Sequence, residues 1–367
     1  RVGSADPAQL RAEIDKVVDQ FGFETIERAV NWLTIKESKA SFAIESEGRE
    51  EGRIRRLARA MSTHCGKIES ALTQEGMLEI QQAVMGDKMV GARLGIRRSP
   101  VFVGHTNSIF EPVIDYLAPH HERVPEMMEG LRAFEQRTRG QNPLLRAAAL
   151  SFGFVYIHPL SDGNGRLSRF LINDILGRDG FLPAPVILPV SAVISENATR
   201  RAAYDTALEH LSRPLMAMMN AVCKFGATVQ HEDGVESNLH VADWHRGLAT
   251  WRYAGLTFQS EYLVDVIRHS ILHGLKDEAV YLRRYDIAVG SLKEIIEGRD
   301  EDYATIIRSL VTNLKVSAKL RKTYPGVFSD DGLVKRVERA VFKAFELLHD
   351  DGDDDDEVVP RLDVVAR

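Results

Sequence analysis

Cysteine is nearly absent from this chain: its 367 residues hold two, Cys65 and Cys223. They lie far apart and outside any CxxC spacing, which excludes a disulfide framework and a thiolate zinc site. That usage suits a reducing compartment, and the cytoplasm is the expected location. No run approaches the roughly 18 uninterrupted apolar residues of a membrane span. The opening RVGSADPAQL also lacks the apolar stretch of a secretory signal, so no membrane partner is expected. A basic excess is missing too. Lys and Arg number 47 against 53 Asp and Glu, a formal net charge of −6, so the broad cationic footprint that tracks a phosphate backbone is lacking and nucleic acid is not an expected partner. The mildly basic KLRK at 319–322 is short. No internal repeat is visible. Neither His120-His121 nor the pair His240 and His245 has HExxH or comparable ligand spacing, so the sequence assigns them no role.

With 44% hydrophobic residues the chain can bury an ample core, and its length suits two to three domains or one extended one. Four stretches separate by pattern. Residues 1–84 are charged and helically periodic, an N-terminal helical lobe. Residues 85–228 form a core whose Gly, Pro, Val and Phe content between Gly91 and Pro119 reads as one β-hairpin near 97–113, with TNS at 106–108 as its turn. Within it, Asn142-Pro143 supplies an N-cap and first-turn proline for an apolar helix reaching Ile157. Leu167, Phe170, Leu171 and Ile175 mark a second helix, ended near Gly177 and Gly180. FLPAPVILPVSAVI then reads as extended, and Asn197 to Leu211 as an amphipathic helix. Residues 240–349 carry the helical period and form a C-terminal helical domain, and 350–367 is an acidic tail whose carboxylate run is solvated. The expected class is mainly α.

Between the two core helices stands HPLSDGNGRLSR, residues 158–169. Gly163 and Gly165 free the backbone around Asn164 for positive φ just as a helix begins, so several N–H groups point outward together as an anion nest. Asp162, immediately before it, suits a divalent cation that takes one or two carboxylates plus phosphate oxygens. Arg166 and Arg169 sit three apart on one helix face and can fork onto phosphate oxygens. His158 ends the incoming helix, and its ordinary pKa allows proton abstraction near neutral pH. No Lys-Ser or Lys-Thr follows the glycines, so this is not a Walker A loop.

HPLSDGNGRLSR resembles the signature of the Fic (filamentation induced by cAMP) family, HPFx(D/E)GNGRxxR, departing among its specified positions only at Leu160. The resemblance covers roughly 85–225 and extends more loosely to RYDIAVGSLKEIIEGRDEDYATIIRSLVTNL. It implies a Fic-type helical core with a β-hairpin flap, flanked by N-terminal and C-terminal helical regions. The implied activity is protein adenylyltransferase: AMP moves from ATP, with Mg2+, to a Ser, Thr or Tyr hydroxyl of a target protein or of the chain itself. On this resemblance His158 is the base, Asp162 the magnesium ligand, and Gly163, Asn164 and Gly165 the anion hole. Arg166 stabilises the leaving pyrophosphate and Arg169 grips the γ-phosphate, Leu167 and Ser168 belong to the same ATP-binding segment, and Tyr204 borders the adenine. The hairpin registers the target by main-chain pairing.

Upstream, SFAIES at 41–46 resembles the family's inhibitory motif (S/T)xxxE(G/N), with Ser41 and Glu45, although Ser46 replaces the small last residue. A second register uses Glu47-Gly48 but puts Ala43 where Ser or Thr is expected. Transfer of UMP, phosphocholine or a phosphoryl group is the rival within the class, and glycines on both sides of Asn164 favour AMP. Removal of AMP, with Glu45 positioning a water, and a nucleotide-binding regulatory protein are the other readings. The sequence leaves the target and any homo-oligomeric state open.

Overall fold

The computed structural model describes residues 6–45, 50–86 and 94–347. The acidic tail, Ser46 and the second register at Glu47-Gly48 lie outside the described residues. The fold is mainly α. Two compact units divide the chain, one comprising Arg1–Gln20 with Ile26–Lys276 and the other Phe21–Thr25 with Asp277–Arg367. Helices α1 (Pro7–Phe21), α2 (Phe23–Ile44), α3 (Glu51–His64) and α4 (Gln74–Met85) come first, then strands β1 (Phe102–Thr106) and β2 (Pro112–Leu117). Next follow α5 (Val124–Arg137), α6 (Pro143–Ile157), α7 (Asn164–Arg178), α8 (Val190–Ile194) and α9 (Ala198–Met219). Strands β3 (Cys223–Gln230) and β4 (Glu236–Val241) lead to α10 (Leu248–Arg252) and α11 (Thr257–His269). In the C-terminal unit, α12 (Asp300–Asn313) and α13 (Asp331–Ala344) share a core that includes Ile306, Ile307, Leu310, Val337 and Val341.

The centre of the larger unit is the pair α6 and α7. Asn142 caps α6 as its sequence position predicts, its side-chain oxygen accepting from the amides of Leu144 at 3.0 Å and Leu145 at 3.3 Å, with Pro143 at the first position. Leu144, Ala147, Ala148, Leu150 and Phe154 are buried along it. Every residue of α7 from Arg166 to Leu176 is buried, so this helix carries polar groups into the core and each must find a partner.

Three sequence expectations shift. The first hairpin turns at Asn107–Glu111 and not at 106–108, because the Asn107 side chain accepts from the amides of Ile109 and Glu111 at 3.0 and 2.9 Å and Phe110 takes a positive φ of 62°; the second strand therefore runs to Leu117. VSAVI is helix α8 and not extended. The β3–β4 hairpin was not anticipated: Cys223, Phe225, Ala227 and Val229 alternate with polar residues, but most residues of the two strands are exposed.

Two glycines in helices make opposite demands. A Cβ on Gly177 in α7 would lie 3.1 Å from the Cα of Gly66, whereas one on Gly130 in α5 meets nothing within 4 Å. Gly177→Ala is expected to lower stability by about 1–3 kcal/mol through backbone crowding. Gly130→Ala should raise it by about 0.5–1 kcal/mol through helix propensity. Denaturant melts of the two variants check the opposite signs, and a shift of the same sign in both would contradict this packing.

Candidate active site

The turn between α6 and α7 is held in place from outside itself. His158 closes α6 in the left-handed region at φ 52°, a conformation that costs a non-glycine residue roughly 1–2 kcal/mol. The strain is held by Arg97, which is 1% exposed. Its guanidinium donates to the carbonyls of His158 at 2.7 Å, Ser99 at 2.8 Å and Pro119 at 2.6 Å, and its amide donates to Pro159 O at 2.9 Å. Leu160 is fully buried and bridges to Ile96, so the departure from Phe leaves an apolar plug beneath the loop. Asn164 clamps the loop to the next helix: its Oδ1 accepts from Leu160 N at 2.9 Å and its Nδ2 donates to Leu160 O at 2.7 Å. Gln81 of α4 donates to Asp162 O at 3.3 Å.

The anion cradle follows from where the helix ladder begins. At the start of α7, Leu167 N donates to Gly163 O at 2.9 Å, so the amides of Asn164, Gly165 and Arg166 precede the ladder and sit at its positive end. Gly163 has φ 89° and needs to be glycine for that reason. Gly165 does not adopt positive φ, which corrects the sequence reading. It is small because a Cβ there would stand 2.1 Å from Glu45 Oε1. Leu167 and Ser168 are buried, the Ser168 hydroxyl donating to Gly165 O at 2.8 Å.

Both arginines reach this turn. Arg166 Nη2 lies 3.1 Å from Asp162 Oδ1, and its guanidinium sits 5.0 Å from the Phe42 ring centre, a cation–π contact with α2. Arg169 is 2% exposed. Its Nε donates to Ser41 Oγ at 3.0 Å and its Nη2 to Ser41 O at 2.9 Å, while Nη2 stands 2.8 Å from Glu45 Oε1. Burial would raise the Glu45 carboxyl, but the Arg169 guanidinium outweighs it and holds the group below the usual carboxylate range. Tyr204 is buried, and burial pushes its hydroxyl up while the nearby Arg169 guanidinium acts against that. The motif residues, Ser41, Glu45 and Tyr204 thus come together around one guanidinium.

His158 is set up as a neutral base. Nδ1 lies 3.0 Å from Val155 O. A carbonyl only accepts, so Nδ1 carries the proton and Nε2 keeps its lone pair. Burial first, with Arg97 adding to it, pushes the imidazole down to about 4. The Asp162 carboxylate is 47% exposed beside the cradle. One accessible carboxylate next to a phosphate cradle fits magnesium, which fills its remaining positions with phosphate and water oxygens.

Sequence reasoning missed Arg97, Gln81 and Glu37. Glu37 of α2 is 1% exposed and accepts from Ser191 N at 2.6 Å, Ser191 Oγ at 2.5 Å and Ala192 N at 3.2 Å. Its carboxyl is pushed up to about 7 by burial, against the Ser191 hydrogen bond. A signal existed: Glu37, Ser41 and Glu45 recur every four residues, one stripe of a helix.

Residues 71–176 match the model of the Fic/DOC family. The chain is 36% identical over 126 residues to the protein adenylyltransferase fic-1 of Caenorhabditis briggsae, and 33% identical over 126 residues to that of Caenorhabditis elegans. It is 32% identical over 124 residues to the protein adenylyltransferase Fic of Nematostella vectensis. These matches cover 34%, 34% and 33% of this chain and 22%, 22% and 26% of the relatives, so the chain spans about a quarter of their length or less. Among solved structures it is similar to a Fic domain containing signaling protein from Bacteroides thetaiotaomicron, at 17% identity and TM-score 0.48, covering 75% of this chain and 97% of that one. A Fic family protein from Desulfovibrio desulfuricans matches at 17% identity and TM-score 0.45, over 94% of this chain and 84% of that one. The similarity to the Fic/DOC family is thus carried by residues 71–176 of this chain.

Proposed function

We propose that this chain transfers AMP from ATP to a hydroxyl side chain of a protein, and that Glu45 holds the reaction in check. The observation that carries the reading is the Glu45 carboxylate, which fills the space over Gly165 while bound to Arg169. A built anion site is occupied by the chain's own anion. With the helix displaced, the Asn164, Gly165 and Arg166 amides and the two arginines are placed to receive phosphate oxygens. Magnesium, held by Asp162, would supply charge neutralisation. Nε2 of His158 takes the proton of the target hydroxyl, whose oxygen then bonds to the α-phosphorus. The bond to the bridging oxygen breaks and pyrophosphate leaves. Neutral at every pH above about 4, His158 is available as a base throughout the physiological range. The β1–β2 hairpin exposes Val103, Ile109 and Phe110, a surface suited to registering an extended target segment. Cys65 and Cys223 are unpaired, which fits action in a reducing cytoplasm.

Glu37 supports the inhibitory reading by anchoring α2 to the backbone at Ser191 and Ala192. Arg201 adds a bond from Nη1 to Ile44 O at 3.0 Å. The charged group that bears on Glu37 is Arg169.

Three outcomes are expected. His158→Ala should cut AMP labelling at least about 100-fold with ATP affinity retained; labelling equal to wild type would reject His158 as the base. Glu45→Gly should raise self-labelling severalfold and Glu47→Gly should not, while Arg169→Ala added to Glu45→Gly should remove the gain. Activation by Glu47→Gly alone would assign inhibition to the other glutamate. The third outcome concerns pH. The docked Glu37 carboxyl keeps its proton up to about pH 7, against an ordinary value of 4.5 for the released group. The docked helix binds the extra proton, so docking is favoured at low pH and weakens as pH rises from about 4.5 to 7. The labelling ratio of Glu45→Gly to wild type should therefore fall between pH 6 and pH 8, and Glu37→Gln should flatten it. A ratio that rises with pH would contradict this linkage.

A further inference from the structure

Just beyond β2 the chain reads His120-His121-Glu122. His120 has φ −53° and ψ 136°, and the next three residues, His121–Arg123, form a single 3-10 turn. This bend gathers side chains that sequence spacing alone does not bring together. One donor atom from each of the three lies within 4.8 Å of the others, the sole such group of His, Cys, Asp and Glu among the described residues. The imidazole centres are 4.3 Å apart.

Two further observations point to a ligand. His121 Nδ1 is buried and has no hydrogen-bond partner, an unfavourable state for a polar atom that a metal ion would relieve. A cavity of about 190 Å3 opens beside His120 and Glu122, walled by Trp244, Leu248 and Trp251. That is room for an ion and its water, each water needing about 30 Å3.

The donor chemistry is selective. An imidazole ligates through a ring nitrogen that carries no proton, and the partnerless Nδ1 of His121 is such a position. Two neutral imidazoles and one carboxylate suit zinc and its d-block neighbours, not the hard cations that want oxygen alone. The positive neighbours are already engaged: Arg97 by three carbonyls and Arg123 by Glu126 at 3.5 Å. A third imidazole, His231 in the β3–β4 turn, has its ring centre 6.5 Å from that of His121.

We propose that His120, His121 and Glu122 form a binding site for one divalent zinc-type ion, distinct from Asp162 and independent of the AMP-transfer reading. The ion would pin the root of the β1–β2 hairpin. There the His120 ring packs 5.0 Å from Trp244, and the Trp251 indole donates to Leu117 O at 3.1 Å.

Zinc titrated by calorimetry into the full chelator-stripped chain tests the site, with Co2+ absorption as a second probe of the donor set. One equivalent should bind at micromolar affinity or tighter and raise the melting temperature. His121→Ala and Glu122→Gln should each weaken binding by about tenfold or more. Glu122 is largely exposed, with 78% of its side chain accessible, so its substitution leaves the fold unburdened. His210→Ala, at a ring stacked on Phe258, should leave affinity unchanged. Failure to bind near one equivalent overturns the proposal, and so does zinc held equally by all variants, as binding to the acidic tail would be.

Discussion

A buried guanidinium must be partnered: Arg97 is met by three carbonyls, whereas Arg169 is met by the Glu45 carboxylate. At 2% exposure it cannot draw on water, and leaving a buried charge unpaired costs several kcal/mol (of order 3–5). Its place on α7 is fixed by a helix buried from Arg166 to Leu176. The arginine therefore stays and the anions come to it: Glu45 in the observed state, a nucleotide phosphate in the proposed active one. Ser41 and the small Gly165 follow from this, the first by accepting from Nε and Nη2 and the second by leaving room for whatever the guanidinium binds.

The rest of the larger unit keeps that exchange local. Arg97, Asn164 and Gln81 hold the loop from three directions, so the cradle exists before any phosphate arrives and little reorganisation is needed on binding. Helix α2, by contrast, meets the core partly through polar anchors at Glu37, Ser41, Ile44 and Glu45. Such contacts can exchange for water or phosphate more readily than apolar packing can. A rigid receptor and a releasable plug are what competition between two anions requires.

Much of the site was legible in the sequence because its chemistry is contiguous. HPLSDGNGRLSR carries base, carboxylate, cradle and cations in twelve residues, and its flanking helices announce themselves by the Asn142-Pro143 start and the apolar period of α7. Glu45 was legible through its resemblance to a motif, and the structure adds its partner. What stayed hidden depends on long-range meeting. Arg97 acts through carbonyls of residues up to 61 positions away, which leaves no periodic trace. The role of Gly165 was misassigned because a glycine's need for space and its need for positive φ look identical in sequence. The β3–β4 hairpin carries a signal that was not used, the alternation of Cys223, Phe225, Ala227 and Val229 with polar residues, although its strands are mostly exposed.

The central claim is that Glu45 and the γ-phosphate compete for Arg169. It is tested most directly by the ratio of ADP to ATP dissociation constants, measured calorimetrically with magnesium in wild type and in Glu45→Gly. If Glu45 holds Arg169, the wild type gains little from a γ-phosphate and the ratio stays near one. Glu45→Gly should then prefer ATP over ADP by about tenfold, the worth of one charge-assisted contact of ~1.4 kcal/mol. The same ratio in both proteins would show that Glu45 does not stand where the γ-phosphate binds, and the account would fail at its centre.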